Sequence, residues 1–225
     1  MLSVICYSSA GDCPCNDFNY MLYFSVVLAY LLGSIPSAVW LGKYFYGVDV
    51  REHGSGNAGA TNVLRTLGKK AGISVLLLDM LKGFVAVNLS YITNFPHDSQ
   101  EWINLRAVLA LVAIIGHILP FFANFRGGKG VATMTGALIA LSPIASLIAV
   151  VIFFLMLALT KYVSLSSIVT SLTLPVIFGA WLHSSFSFSL FSFAVAVIIL
   201  ITHRKNIQRL MKGIETKTDL FGKKK

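Results

Sequence analysis

The chain is short of charge. Only 12% of its 225 residues are Asp, Glu, Lys or Arg, while 56% are hydrophobic and the mean hydropathy is +0.77. A water-soluble domain of this length carries roughly twice that charged fraction. A soluble globular protein is therefore excluded as the main reading, and a single membrane domain is expected. Carboxylates are the scarcest charges, 9 against 18 Lys and Arg, for a net charge of +9. Such an excess elsewhere suggests nucleic acid. Here the basic residues sit in short loops between apolar runs, so membrane orientation and phosphate groups account for them better, and no nucleic-acid partner is expected.

Cysteine is nearly absent. Cys6, Cys13 and Cys15 all fall in the first fifteen residues. An odd count around one Cys-Pro-Cys is neither a disulfide framework nor a zinc site. No pair of His or Cys has metal-ligand spacing, so no metal or cofactor is expected. A Walker A loop is missing, which argues against ATP hydrolysis. Ser55 is not in a Gly-x-Ser-x-Gly elbow, and no histidine is followed five positions later by Asp, so a His-x4-Asp acyltransferase dyad is lacking. Residues 1–20 contain Asp12 and Asp17 and no Lys or Arg, unlike a signal peptide. Met21 opens the first apolar run, so that segment reads as an optional extension or a misassigned start.

What is present is a series of long apolar runs: Tyr20 to Tyr46, Gly72 to Thr93, Asn104 to Phe122, Val131 to Leu159, Leu165 to Leu182 and Phe188 to Ile201. The run from Val131 is too long for one helix at about 1.5 Å per residue. Ser142-Pro143 divides it, because proline disfavours helix at the residue before it. An all-α protein with seven transmembrane helices is expected. Loop charge then sets orientation. The loop from Lys43 to Lys70 carries Lys43, Arg51, Arg65, Lys69 and Lys70 against Asp49 and Glu52, and the next has Asp98 and Glu101 against Arg106. Arg126 and Lys129 follow, then an uncharged turn, then Lys161, then His183 to Ser187 without Lys or Arg, and finally a basic tail. Basic and non-basic loops alternate. The N-terminus is expected outside and the C-terminus in the cytoplasm, with residues 21–215 forming one membrane domain and 216–225 a basic tail.

Two glycine-rich polar segments interrupt this apolar background, Gly54-Ser55-Gly56-Asn57-Ala58-Gly59-Ala60-Thr61-Asn62 and Arg126-Gly127-Gly128-Lys129-Gly130-Val131-Ala132-Thr133. Glycine lets backbone N–H groups approach a ligand closely. A helix beginning after such a turn favours phosphate. A flexible linker would explain the glycines of the first segment but not Asn57, Thr61 and Asn62 beside them. Arg65 can return to the same site if a helix starts near Thr61. In the second segment Lys129 and the helix dipole would act together on a phosphate. A positive-inside anchor explains Arg126 and Lys129 but not Gly127, Gly128 and Gly130.

Other polar residues are fewer. Asp79 and Lys82 lie three apart in an apolar run and can pair, as a structural ion pair or as a substrate contact. His117, near the end of the third run, reads as a packed, hydrogen-bonded histidine, with a ligand contact as the alternative. His203, Asn206 and Leu210 share one helical face by spacing, with Glu215 beyond. His97 and His183 fall in outside loops.

Gly-Ser-Ile-Pro-Ser at Gly33 to Ser37, the two glycine segments, and His-Arg-x-Asn-Ile-x-Arg-Leu at His203 to Leu210 resemble the bacterial acyl-phosphate:glycerol-3-phosphate acyltransferases, the PlsY family. The resemblance covers about Met21 to Glu215. It implies an acyltransferase of the bacterial inner membrane, with its site on the cytoplasmic face. The acyl group would pass from acyl phosphate to the 1-hydroxyl of sn-glycerol 3-phosphate, giving lysophosphatidic acid and phosphate. A soluble acyl-phosphate-producing enzyme would be a partner.

The resemblance implies catalytic roles for His203, Asn206 and Ser55. It implies substrate or phosphate binding by Ser55, Gly56, Asn57, Thr61, Asn62 and Arg65, by Arg126, Gly127, Gly128, Lys129, Gly130 and Thr133, and by His203 and Glu215; Lys82 is counted with them on its intramembrane charge. Acyl phosphate is an activated mixed anhydride, so the protein's main task is to hold two anionic substrates in line and to stabilise developing charge. With no His–carboxylate dyad evident in the sequence, the substrate's own phosphate is the favoured proton acceptor. The rival readings are a secondary transporter of a phosphorylated solute, which would place its determinants near the midplane of two repeated halves, and a non-catalytic scaffold. No repeat is visible, and a scaffold leaves both glycine segments unexplained.

Overall fold

The computed structural model describes residues 15–181 and 185–218. Expectations about Cys6, Cys13, His183 and most of the basic tail fall outside them. All regular structure among the described residues is helical. The helices are α1 (Cys15–Gly33), α2 (Ser37–Tyr46), α3 (Ala60–Thr66), α4 (Lys69–Asn88), α5 (Gln100–Ile118), α6 (Val131–Leu141), α7 (Pro143–Thr160), α8 (Val163–Val176), α9 (Phe186–Thr202) and α10 (Arg204–Met211).

Three segments, 69–92, 100–123 and 143–160, are long and apolar enough to cross a membrane, and there are up to five if each bent helix pair is one span. Leu77, Leu81, Leu147, Val151, Leu155 and Phe193 remain exposed, an outward apolar surface that suits lipid rather than water.

Helix packing relies on small residues, as expected where lipid removes the hydrophobic drive between helices. On α4, a Cβ at Gly83 would collide with the Thr133 carbonyl of α6. On α6, a Cβ at Gly136 would collide with the Met80 carbonyl of α4. The α1–α5 pair is built the same way, with Gly33 against the Ala113 backbone and Gly116 against Tyr30 and Ser34. Ile114, Met134, Leu138, Leu174, Phe178, Phe191 and Ile199 fill the shared core of α5, α6, α8 and α9.

The break at Ser142-Pro143 is where the sequence puts it. Ser142 Oγ accepts from the Ala145 N–H at 3.3 Å, and Pro143 begins α7, a position where its missing N–H is no loss. Two other boundaries differ. Tyr20 to Tyr46 is not one straight span: α1 and α2 meet at a 43° bend after Gly33. Pro36 has no N–H to donate back and pushes Ile35 out of helix. The sixth run does not stay α-helical to Leu182, since α8 passes into a π turn at Ile177–Trp181. The seventh run ends within a residue of the expected Ile201, at Thr202, and α10 leaves at 62°. His203 lies at this hinge and caps α10, its carbonyl accepting from the Asn206 and Ile207 N–H groups at 2.8 and 2.9 Å.

Candidate functional site

The first glycine segment is held by its own side chains. Asn62 is buried at the start of α3. Its Nδ2 donates to the carbonyls of Val50 at 2.7 Å and His53 at 3.0 Å. Its Oδ1 accepts from the Ser55 N–H at 2.8 Å and the Ser55 Oγ–H at 3.1 Å. One side chain thus closes the loop into a ring. Gly54 and Gly56 take φ of +61° and +71° inside it, a region that side chains with a Cβ rarely adopt. Just upstream, the Asp49 carboxylate accepts from Arg51 Nε at 3.0 Å and Nη2 at 2.7 Å, which holds it well below the usual carboxylate range. The remaining Arg51 Nη1 donates to the Ala123 carbonyl at 3.1 Å, so this loop is tied to the turn that leads into the second.

That second turn is built on the end of α5. Gly127 and Gly128 N–H donate to the Ile118 and His117 carbonyls at 3.2 and 3.1 Å. Gly130 has φ +87° and opens α6. Between them Lys129 extends its ammonium to Asn206 Oδ1 of α10 at 2.5 Å. Asn206 Nδ2 donates to Glu215 Oε1 at 2.7 Å. The same carboxylate accepts from Ser164 Oγ at 2.8 Å and from Arg209 Nε at 2.6 Å. His203 Nδ1 lies 2.9 Å from the Ile199 carbonyl. Since a carbonyl only accepts, the Nδ1 carries the proton, and Nε2 is the ring atom left for other partners.

Electrostatics follow from this packing. Burial pulls Lys129 down to about 8, with Arg209 and Arg65 adding to the effect and Glu215 opposing it. Burial acts to raise Glu215, but hydrogen bonds from Arg209, Asn206 and Ser164 outweigh it and hold the carboxyl below its ordinary value. Arg65 reaches the C-terminal segment, with Nη2 3.0 Å from Thr218 Oγ1 and 3.4 Å from the Thr216 carbonyl.

These groups surround one cavity of about 690 Å³. Its lining combines polar and cationic residues, Ser55, Arg65, Lys129, His203, Asn206 and Arg209, with apolar ones, Leu76, Met80, Ala149, Val150, Phe153 and Phe154. Cationic and apolar walls in one cavity suit a ligand with an anionic head and a hydrocarbon tail.

Residues 23–213 match the family model described as glycerol-3-phosphate acyltransferase. The chain belongs to the glycerol-3-phosphate acyltransferase family. It is similar to the glycerol-3-phosphate acyltransferase of Fusobacterium nucleatum subsp. nucleatum, 45% identical over 193 residues that cover 85% of this chain and 95% of the relative. The protein of the same name from Bacillus cytotoxicus is 42% identical over 206 residues, covering 92% of this chain and all of the relative. Among solved structures, the glycerol 3-phosphate form of PlsY (YgiH), an integral membrane glycerol 3-phosphate acyltransferase, superposes with a TM-score of 0.80 at 37% identity, covering 89% of this chain and 99% of that one. Its lysophosphatidic acid form gives 0.77 at 36% identity, covering 88% and 95%. The chain is thus a multi-pass membrane protein of this acyltransferase family.

Against that family background, the structure brings most of the sequence candidates to one cavity. Ser55, Gly56, Asn57, Thr61, Asn62, Arg65, Gly128, Lys129, Gly130, His203, Asn206 and Glu215 all line it. Four do not. Lys82 is committed elsewhere, 2.8 Å from Asp79 Oδ1 and donating to the Ile35 carbonyl at 2.9 Å; it is an ion-pair residue below the site and not a wall of it. Arg126 is exposed and does not line the cavity. Gly127 packs under the Pro120 turn, and Thr133 is fully buried where α6 meets Gly83.

Other wall residues were not singled out from sequence. Ser164, Ser167 and Thr170 of α8 line the cavity; their spacing of three along an apolar helix was the available signal. Arg209 stands in the His203–Leu210 motif but was not singled out as a site residue. The expectation that no histidine pairs with a carboxylate also needs correction. His117 Nδ1 lies 3.6 Å from Asp79 Oδ1, both side chains are buried, and both border the cavity. The two are distant in sequence, and the α4–α5 packing alone brings them together.

Proposed function

We propose that this protein transfers a fatty acyl group from acyl phosphate to the 1-hydroxyl of sn-glycerol 3-phosphate, releasing lysophosphatidic acid and inorganic phosphate. The observation that carries this is one cavity whose lining combines Arg65, Lys129 and Arg209 with Phe153, Phe154 and Val150. Two phosphates need cations and N–H donors; an acyl chain needs an apolar wall open toward lipid. The family resemblance and the two substrate- and product-bound PlsY structures support the acceptor and the product.

In the proposed reaction the 1-hydroxyl oxygen attacks the acyl carbonyl carbon. The bond from that carbon to the phosphate oxygen breaks, and the phosphate leaves with the electron pair. Lys129 and the Gly127–Gly130 turn would stabilise charge on phosphate as it develops. The hydroxyl proton is assigned to the phosphate of glycerol 3-phosphate: His203 Nε2 is free among the described residues, but its Nδ1 donates to the Ile199 carbonyl and not to a carboxylate that would support an imidazolium, and the Glu215 carboxylate is already engaged within the protein. His203 Nε2 and Ser55 would orient the acceptor.

The same reading places seven spans in the bacterial inner membrane with the cavity mouth in the cytoplasm. Three long spans and two bent pairs account for up to five of them; the shorter apolar helices 131–141 and 163–179 would make the other two. A soluble enzyme that makes acyl phosphate would deliver the donor at this face. The test is to incubate purified protein with acyl phosphate and labelled glycerol 3-phosphate and to look for labelled lysophosphatidic acid. Uptake of label into proteoliposomes without acylation would favour transport instead.

A further inference from the structure

Ionisable groups buried among membrane helices are costly unless they do something. Asp79, Lys82 and His117 are each less than a tenth exposed. Lys82 is satisfied by Asp79 and the Ile35 carbonyl. Asp79 and His117 are not: Asp79 Oδ2 and His117 Nδ1 have no hydrogen-bond partner among the described residues. An ion pair kept only to join α4 to its neighbours would not need a histidine, nor a carboxylate oxygen left at a cavity wall.

The position of the His117 ring supplies the missing role. Its Nδ1 edge faces Asp79 Oδ1 at 3.6 Å. Its Nε2 edge faces Gly128, where an added Cβ would fall on the ring atom and come within 3.0 Å of the Ala58 carbonyl in the first glycine segment. The His117 carbonyl accepts the Gly128 N–H at 3.1 Å. Gly128 is therefore clamped between the histidine beneath it and the first loop above it. The next residue is Lys129, whose ammonium reaches Asn206. Any shift of the ring moves the turn, and with it the cation.

We infer that Asp79 and His117 are positioning residues for the acyl transfer: Asp79 orients the His117 ring, and the ring sets the Gly127–Gly128 turn that aims Lys129 at substrate phosphate. This rests on the proposed role of Lys129 as a phosphate contact. Acting through Lys129, the pair shares its effect and does not add to it. Residues acting as a unit show this non-additivity, and contacting residues couple measurably.

The test is a double-mutant cycle on purified, monodisperse protein with both substrates titrated. His117→Ala is expected to raise KM for whichever phosphate substrate Lys129→Ala affects, by about tenfold, with kcat changed less. The double variant should be no worse than Lys129→Ala alone. Gly128→Ala, which presses a methyl on the ring, should reproduce the His117→Ala kinetics, and His117→Gln should recover part of the loss. If His117→Ala does not fold, the same cycle is run with Gly128→Ala and with Asp79→Asn. Effects that multiply with Lys129→Ala, or a fall in kcat with KM unchanged, would overturn the positioning role while leaving the site intact. Normal kinetics in Lys129→Ala would instead overturn the reading of the site itself.

Discussion

Lys129 and Asn206 are 77 positions apart, yet their side chains meet at 2.5 Å. One stands on a glycine turn before α6 and the other on α10, beyond the last apolar helix. Asn206 passes the contact on to Glu215, and Glu215 to Ser164 and Arg209. The cationic wall of the cavity is therefore a single hydrogen-bonded assembly drawn from three separate parts of the chain, and its members should respond together to mutation.

Lys129→Ala removes one charge-assisted contact while leaving the glycines of the turn in place. Such a contact is worth roughly 1.5–3 kcal/mol, so catalytic efficiency should drop about tenfold to a hundredfold. Folding should survive, because the residue lies in a loop. Steady-state rates on monodisperse protein decide the matter; unchanged rates would leave Lys129 as an orientation anchor only.

The rate should also fall as pH rises through about 8, where burial places the Lys129 ammonium. Below that value the charge is present, and above it the proton is lost. In Lys129→Arg the guanidinium stays charged throughout, so whatever its absolute rate, the alkaline limb should move upward. An identical alkaline limb in both proteins would assign it to another group.

Asn62→Ala should open the first glycine segment. The truncation strips partners from the Val50 and His53 carbonyls and from the Ser55 N–H. A buried group left unpaired costs about 1–3 kcal/mol, so the apparent Tm should fall, and activity should fall further because Ser55 and Gly56 lose their fixed geometry. A stable variant with full activity would show that the loop is held by its glycines alone.

How much of this was legible in the sequence depends on the range of the interaction. The glycine segments, the Ser142-Pro143 break and the Asp79–Lys82 pair are local signals, set by φ preferences, a missing N–H or a three-residue helical spacing. Pro36 was equally local, but the apolar run on both sides masked the bend. Asn62 was legible as a site candidate and not as the clasp of its own loop, since its partners at Val50 and His53 become neighbours only when the chain turns back. The His117–Asp79 approach and the Ser164–Glu215 bond depend on helix packing, which no spacing rule encodes. The same reason left Lys82 among the substrate contacts: its engagement with the Ile35 carbonyl is visible only once α1 and α4 are packed.

Orientation can be tested on positions outside the site. Lys70 and Glu101 are both exposed and lie at opposite ends of the expected spans. With Cys6, Cys13 and Cys15 replaced, a cysteine at 70 should be labelled by a membrane-impermeant reagent only from the cytoplasmic side, and one at 101 only from outside. The reverse pattern would overturn the proposed face of the cavity.

The Glu215 carboxylate gives a stability signature of its own. Its side chain is only 5% exposed, and hydrogen bonds from Arg209, Asn206 and Ser164 hold it below its ordinary value. A carboxyl held low binds its proton more weakly folded than unfolded. Its contribution is therefore fully present above the unfolded value of about 4.3 and is lost as pH falls through the folded one. Glu215→Gln keeps the shape but replaces one acceptor oxygen by a donor that faces either Arg209 or Asn206. The variant should have a lower apparent Tm than the parent at pH 7, and the gap should narrow progressively as pH is lowered below about 4. Activity should fall with it, since Asn206 loses the partner that turns its Oδ1 toward Lys129. Thermal unfolding of both proteins in the same detergent across pH 3–8 reads the gap directly. A gap independent of pH would mean that Glu215 contributes packing and not charge.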